Sequence, residues 1–147
     1  MGQSLVQIYV HLIFHKKSSS SDIDKSIRQE LYPYMIAIMK TNNSPVLAIN
    51  GTEDHVHMLF SLLKNVALSK VIEDVKKKSS KWIKTKNDQY HTFYWQSGYG
   101  AFSIGKSGVK AAQHYIFNQE QHHNKKSFQQ EYRAILKKYE VDYDERY

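Results

Sequence analysis

Asn50-Gly51-Thr52-Glu53-Asp54-His55-Val56-His57-Met58-Leu59-Phe60-Ser61 is the stretch from which the rest of the chain is read. Strand side chains alternate faces every two residues, so Val56, Met58 and Phe60 turn one way while His55, His57, Leu59 and Ser61 turn the other. The first set belongs against helices; the second lines a site or a subunit contact. Just upstream, Asn50-Gly51 favours a positive-φ turn, which would return the strand Val46-Leu47-Ala48-Ile49 antiparallel to the histidine strand.

Working outward, Leu5 to Phe14 reads as a strand, too short and interrupted to span a membrane. It lacks a basic leader and a small-residue cleavage site, so a cytoplasmic protein is expected. A polar loop from His15 to Ser21 follows, with Ser21 or Asp22 as candidate helix cap. Ile23, Ile27, Leu31, Met35 and Ile38 recur at helical intervals, with Tyr34 widening the stripe, and Pro33 predicts a kink or a break. Leu68, Val71, Ile72, Val75, Trp82 and Ile83 mark a second amphipathic helix. Thr92 to Ile104 reads as a short strand, a turn at Gly98 to Gly100 and another strand, and Gly105 to Gly108 as a flexible joint before a helix near Val109. In the last helix Ser127 and Gln130 have capping-box spacing, and Phe128, Tyr132, Ile135, Leu136 and Tyr139 form the apolar stripe. The tail from Val141 to Tyr147 is expected to be peripheral. Mixed strands and helices in this order indicate an α+β sandwich on an antiparallel sheet.

A chain of 147 residues suits one domain, residues 1–147, able to bury about 68% of its unfolded surface. Lysine and arginine number 21 against 14 acids, a formal +7, which favours an anionic partner: nucleic acid or an acidic membrane surface. The excess is concentrated: Lys64 through Lys86 holds eight lysines against Glu73 and Asp74. Lys70, Lys77, Lys81 and Lys84 lie opposite the apolar stripe, with Lys76 and Lys78 on the flanks. Such a face serves solubility or, together with Lys16 and Lys17, contacts phosphates. Trp95 and Tyr99 are candidates for stacking on unpaired bases, whereas Trp82 falls on the core stripe. Cysteine is absent, which excludes disulfides and thiolate metal sites.

His55 and His57, side by side on one strand face, can share a divalent cation, although His-x-His alone equally suits a core or hydrogen-bonding role. Tyr115 and Gln119 stand four residues apart in a helical pattern and share a face. Gln119 offers an oxygen compatible with Mg2+ or Mn2+, the histidines favouring manganese or a later metal. Tyr115 is a candidate nucleophile toward phosphate, against the ordinary alternative of a packing tyrosine with a bonded hydroxyl. His114, His122 and His123 are more ordinary as surface groups than as proton carriers.

These residues together resemble the IS200-type single-tyrosine transposases, within the wider His-hydrophobic-His nucleases. The resemblance rests on Gly51 to Leu59, Lys78-Ser79-Ser80-Lys81-Trp82, Trp95 to Ser103, Tyr115-Ile116-Phe117-Asn118-Gln119 with His122-His123, Ser127 to Tyr132 and Tyr143 to Tyr147. It implies a ferredoxin-like sheet with helices packed on it, a C-terminal helical extension and a homodimer. It further implies a metal held by His55, His57 and Gln119, and attack by Tyr115 on single-stranded DNA with hairpin ends through a 5′-phosphotyrosine link. No nucleotide cofactor or membrane is expected. A non-catalytic hairpin-binding protein of the same fold and a metal-dependent phosphodiesterase are the alternatives.

Overall fold

A computed structural model describes residues 2–121 and 126–143. The strands are β1 (Tyr9–His15), β2 (Val46–Gly51), β3 (His55–Ser61) and β4 (Gly100–Ile104). The helices are α1 (Lys25–Thr41), α2 (Leu68–Lys84), α3 (Val109–Phe117) and α4 (Phe128–Lys138). All strand pairs are antiparallel and their order is β2-β3-β1-β4, the ferredoxin-like arrangement of a β1-α1-β2-β3-α2-β4 chain. Helix α4 is the C-terminal extension.

The central strand β3 is buried on both faces from His55 to Phe60. Val56, Met58 and Phe60 join Val10, Leu12 and Phe14 of β1 in the main core beneath α1 and α2. On the opposite face two helices share the cover. Helix α3 packs Val109 and Ile116 on Ala48 and Leu59, and α4 packs Leu136 on Ile13 and Phe102. Between these two clusters lie the histidines.

Several sequence expectations shift locally. Strand β1 starts at Tyr9, where its partners Ser61 and Ile104 end, and Leu5, Val6 and Ile8 stay exposed beyond it. Helix α1 runs unbroken through Pro33, because both Pro33 and Gln29, whose carbonyl loses its donor, lie on the solvent side, while Leu31, Met35 and Met39 anchor the other. The cap position is Asp24, not Ser21 or Asp22: Tyr90 donates its hydroxyl to the Asp22 carbonyl and accepts the Asp24 N–H, fixing the entry to α1. Gly51 ends β2 instead of making the turn, which falls on Thr52 to Asp54. A side chain at Gly51 would collide with the His55 carbonyl, so glycine is needed there for close approach.

The segment before Gly98 forms only a single bridge, Lys16 to Trp95, in place of a strand. Its side chains are recruited by the core: Trp95 meets Phe14 and Phe93 edge-on and donates its indole N–H to Ser79 Oγ at 3.0 Å. Gly98 takes a positive φ of +89°, and Gly100, expected in the turn, already opens β4. Gly105 leads into a short 3-10 turn, Lys106–Gly108, before α3. Trp82 is half-buried, stacked on Tyr34. The capping box of α4 forms as expected.

Candidate functional site

Strand register decides which imidazoles meet. His57 lies opposite Ile13 and His11 opposite Leu59, so His11 and His57 are diagonal neighbours on one face of the β1-β3 pair. Their rings join through His11 Nε2 and His57 Nδ1 at 2.8 Å. His55 is held by its own turn: Nδ1 lies 2.7 Å from Asp54 Oδ1 and 2.9 Å from Thr52 Oγ1.

Two helix-borne groups close on the pair. Just past α3, Gln119 is fully buried and sets Oε1 3.0 Å from His55 Nε2. From α4, Glu131 Oε1 lies 2.8 Å from His57 Nε2 and 3.4 Å from His55 Nε2. The ligand atoms of His55, His57 and Glu131 all fall within 4.8 Å of one another. Tyr115 lies over them, its ring centroid 5.7 Å from that of His57 and 6.2 Å from that of His11. Phe128 covers the other side, 4.5 Å from the His55 ring.

Burial and charge set the protonation. Burial works against a charged His55, but hydrogen bonds to Asp54, Glu131 and Gln119 outweigh it and raise its pKa to about 9. Burial likewise opposes the Glu131 carboxylate, yet the two histidines hold it well below the usual carboxylate range. His11, buried and beside His57, is lowered to about 3 and stays neutral. The Tyr115 phenol is pushed up by burial, by the Glu131 charge and by a hydrogen bond to that carboxylate, against a smaller pull from the Gln119 amide.

A cation fits this cluster. Two imidazole nitrogens, a carboxylate and an amide oxygen converge, a donor set suited to a divalent ion. Among the described residues the buried Nε2 of Gln119 finds no partner at full hydrogen-bonding geometry.

Glu131 and His11 were not recognised as site residues in the sequence. Glu131 did leave a signal: it stands three residues after Phe128 and four before Ile135, an acid inside an apolar helical stripe. His11 left none, since its meeting with His57 depends on strand register.

The proposed DNA contacts divide. Lys17, Lys70, Lys77, Lys78 and Lys81 are exposed, Lys70 beside Glu73 and Lys78 beside Asp74. Lys16 is tied to the Ser20 carbonyl and to Asp22, Lys76 to the carbonyls of Gln96 and Gly98, and Lys84 lies over the Tyr94 ring. These three brace the fold. Trp95 is a correction: its ring is core, closed to stacking on a base, while Tyr99 is exposed. His114 is exposed and bonded to Asn118; His122 and His123 lie outside the described residues.

A family model for IS200-like transposases matches residues 4–119, and the chain belongs to that family. Helix α4 lies beyond the matched span. Two solved structures share the fold. A protein of Deinococcus radiodurans R1 described as a candidate transposase superposes with a TM-score of 0.63 at 18% identity, over 81% of this chain and 96% of that one. A REP-associated tyrosine transposase bound to a REP hairpin gives 0.59 at 15% identity, over 80% and 70%. Among curated proteins there is no significant match. Among the described residues no helix is long and apolar enough to cross a membrane.

Proposed function

We propose that residues 1–147 form one catalytic domain, a metal-dependent transposase that cleaves and rejoins single-stranded DNA through Tyr115. The observation that carries this reading is the placement of the Tyr115 ring over the buried His57 and Glu131 pair within one chain. His55, His57, Gln119 and Glu131 would hold Mg2+ or Mn2+, the two imidazoles favouring manganese. When bound, the ion would polarise a phosphate and offset charge that develops on its oxygens.

The residues divide the work. The Tyr115 oxygen attacks the scissile phosphorus, the bond to the 3′ oxygen breaks, and the products are a 5′-phosphotyrosine link and a free 3′ hydroxyl. Glu131 receives a hydrogen bond from the phenol, so the nucleophile is aimed into the cluster and its proton faces an acceptor. Rejoining reverses the step with another 3′ hydroxyl, without a nucleotide cofactor. Exposed lysines of α2, Lys17 and Tyr99 would hold the strand and its hairpin. The relative bound to a REP hairpin supports a hairpin substrate. A homodimer acting in the cytoplasm, on the nucleoid, completes the proposal.

The test is covalent. Hairpin-bearing single-stranded DNA with Mn2+ should yield a protein–DNA adduct with the wild type and none with Tyr115→Phe. Equal adducts from both, or none from either, would overturn the assignment. A second reading, a hairpin-binding protein without catalysis, is favoured by the raised phenol pKa; tight hairpin binding with no adduct under the same conditions would support it.

A further inference from the structure

The metal reading of His57 leaves one contact without a purpose. Behind this histidine, on the side away from Glu131, stands a third imidazole, that of His11, 5% exposed and contributed by a different strand. Its Nε2 lies 2.8 Å from His57 Nδ1, and the rings are tilted 38° with centroids 5.1 Å apart.

A hydrogen bond between two neutral imidazole nitrogens holds one proton, carried by one ring and accepted by the other. Glu131 approaches Nε2 of His57, so that is the nitrogen turned toward the cluster. Nε2 can give its lone pair to a cation only if the ring proton is on Nδ1. His11 Nε2 is placed to accept that proton's bond, which requires His11 to carry its own proton on Nδ1. Ligating histidines are generally oriented by an acceptor at the far nitrogen, most often a carboxylate or carbonyl. His55 follows that pattern with Asp54. His57 has a neutral imidazole in the same place.

Resting on the proposed metal site, we propose that His11 is the positioning residue of His57: it accepts the Nδ1–H bond, selects the tautomer with Nε2 free, and locks the ring toward the cation. The two ligands are thereby set unequally. A carboxylate behind His55 makes it the more basic donor, whereas a neutral imidazole behind His57 orients without adding charge to the site.

The experiment uses the full chain with MnCl2 in titration calorimetry, and with ZnCl2 for nitrogen-detected imidazole NMR. His11→Leu, similar in volume but without an acceptor, should weaken Mn2+ binding about 10–100-fold. His11→Gln, whose amide oxygen can stand where Nε2 stood, should recover most of that loss while Leu does not. In the Zn2+-loaded wild type, His57 should carry its proton on Nδ1, with N–N coupling to His11 Nε2. A Leu variant that binds Mn2+ as tightly as wild type, a Gln variant no better than Leu, or a His57 proton on Nε2 in the loaded protein would each overturn the role. Should His11→Leu fail to fold, the wild-type spectrum decides alone. A wild type that binds neither ion would instead remove the metal site, and His11's role with it.

Discussion

His57 and Glu131, 74 residues apart in sequence, meet in the interior with Nε2 and Oε1 2.8 Å apart. Neither element alone makes a site. The strand supplies paired imidazoles, and the C-terminal helix brings the carboxylate that offsets their charge and adds its oxygen to that of the Gln119 amide.

Replacing Glu131 with Gln should therefore act on fold and site together. Loss of a buried charge-assisted bond is expected to cost about 1–3 kcal/mol in the metal-free protein. Each kcal/mol should lower the melting temperature by roughly 2–4 °C in a chain of this size. The same variant should bind Mn2+ more weakly. Thermal melts with and without Mn2+ check both, and unchanged melting together with unchanged affinity would show that the carboxylate has neither role.

Metal uptake should release a proton at neutral pH. The metal-free His55 has its pKa raised to about 9, so the protonated form prevails at pH 7 and must yield to the cation. Apparent affinity should consequently rise with pH, by about tenfold per unit below 9, and level off above it. In the absence of metal the sign reverses: a raised His55 pKa gives stability that is fully present below its ordinary 6.5 and is lost as pH rises through 9. Calorimetry in buffers of different ionisation enthalpy counts the proton, and none released at pH 7 would contradict this protonation state.

The two aromatic candidates for base stacking should now separate. Trp95→Ala removes a buried indole and its bond to Ser79, with an expected loss of about 3–5 kcal/mol of stability. Tyr99→Ala should leave stability within roughly 0.5 kcal/mol and weaken single-strand binding by about 1–3 kcal/mol if the ring stacks on a base. Denaturant melts and fluorescence binding distinguish them; a destabilised Tyr99 variant with unaltered DNA affinity would reverse the assignment.

His57→Ala and Lys77→Ala with Lys81→Ala should divide chemistry from attraction. The histidine variant should lose metal binding and cleavage while retaining most hairpin affinity. The paired lysine variant should retain metal affinity, bind DNA more weakly, and show a salt dependence shallower by about one to two ions. Equal effects of both variants on metal-free hairpin binding would contradict the division.

Much of this arrangement could be read from one strand. The alternation through His55 to Phe60 assigns both faces of β3, and the Tyr115 to Gln119 spacing brings those residues to the same side of the chain's third helix and its end. What stayed hidden depends on tertiary placement. Trp95 looked available because, unlike Trp82, it falls on no apolar helical stripe, but its ring packs on Phe14 and Phe93 and its indole bonds to Ser79. Gly51 looked like a turn residue because Asn-Gly commonly makes one, whereas close approach of the His55 carbonyl is what demands it. Glu131 was overlooked because an acid on a helix is ordinarily solvated, and nothing local says that this helix closes over two histidines.

The basic helix α2 covers the face of the sheet opposite the histidine cluster. A nucleic acid engaged by both must bend around an edge of the sheet, so the two contacts have separate footprints. An oligonucleotide long enough to fill one will be blind to the other, and the shortest strand that senses both measures the path around the protein.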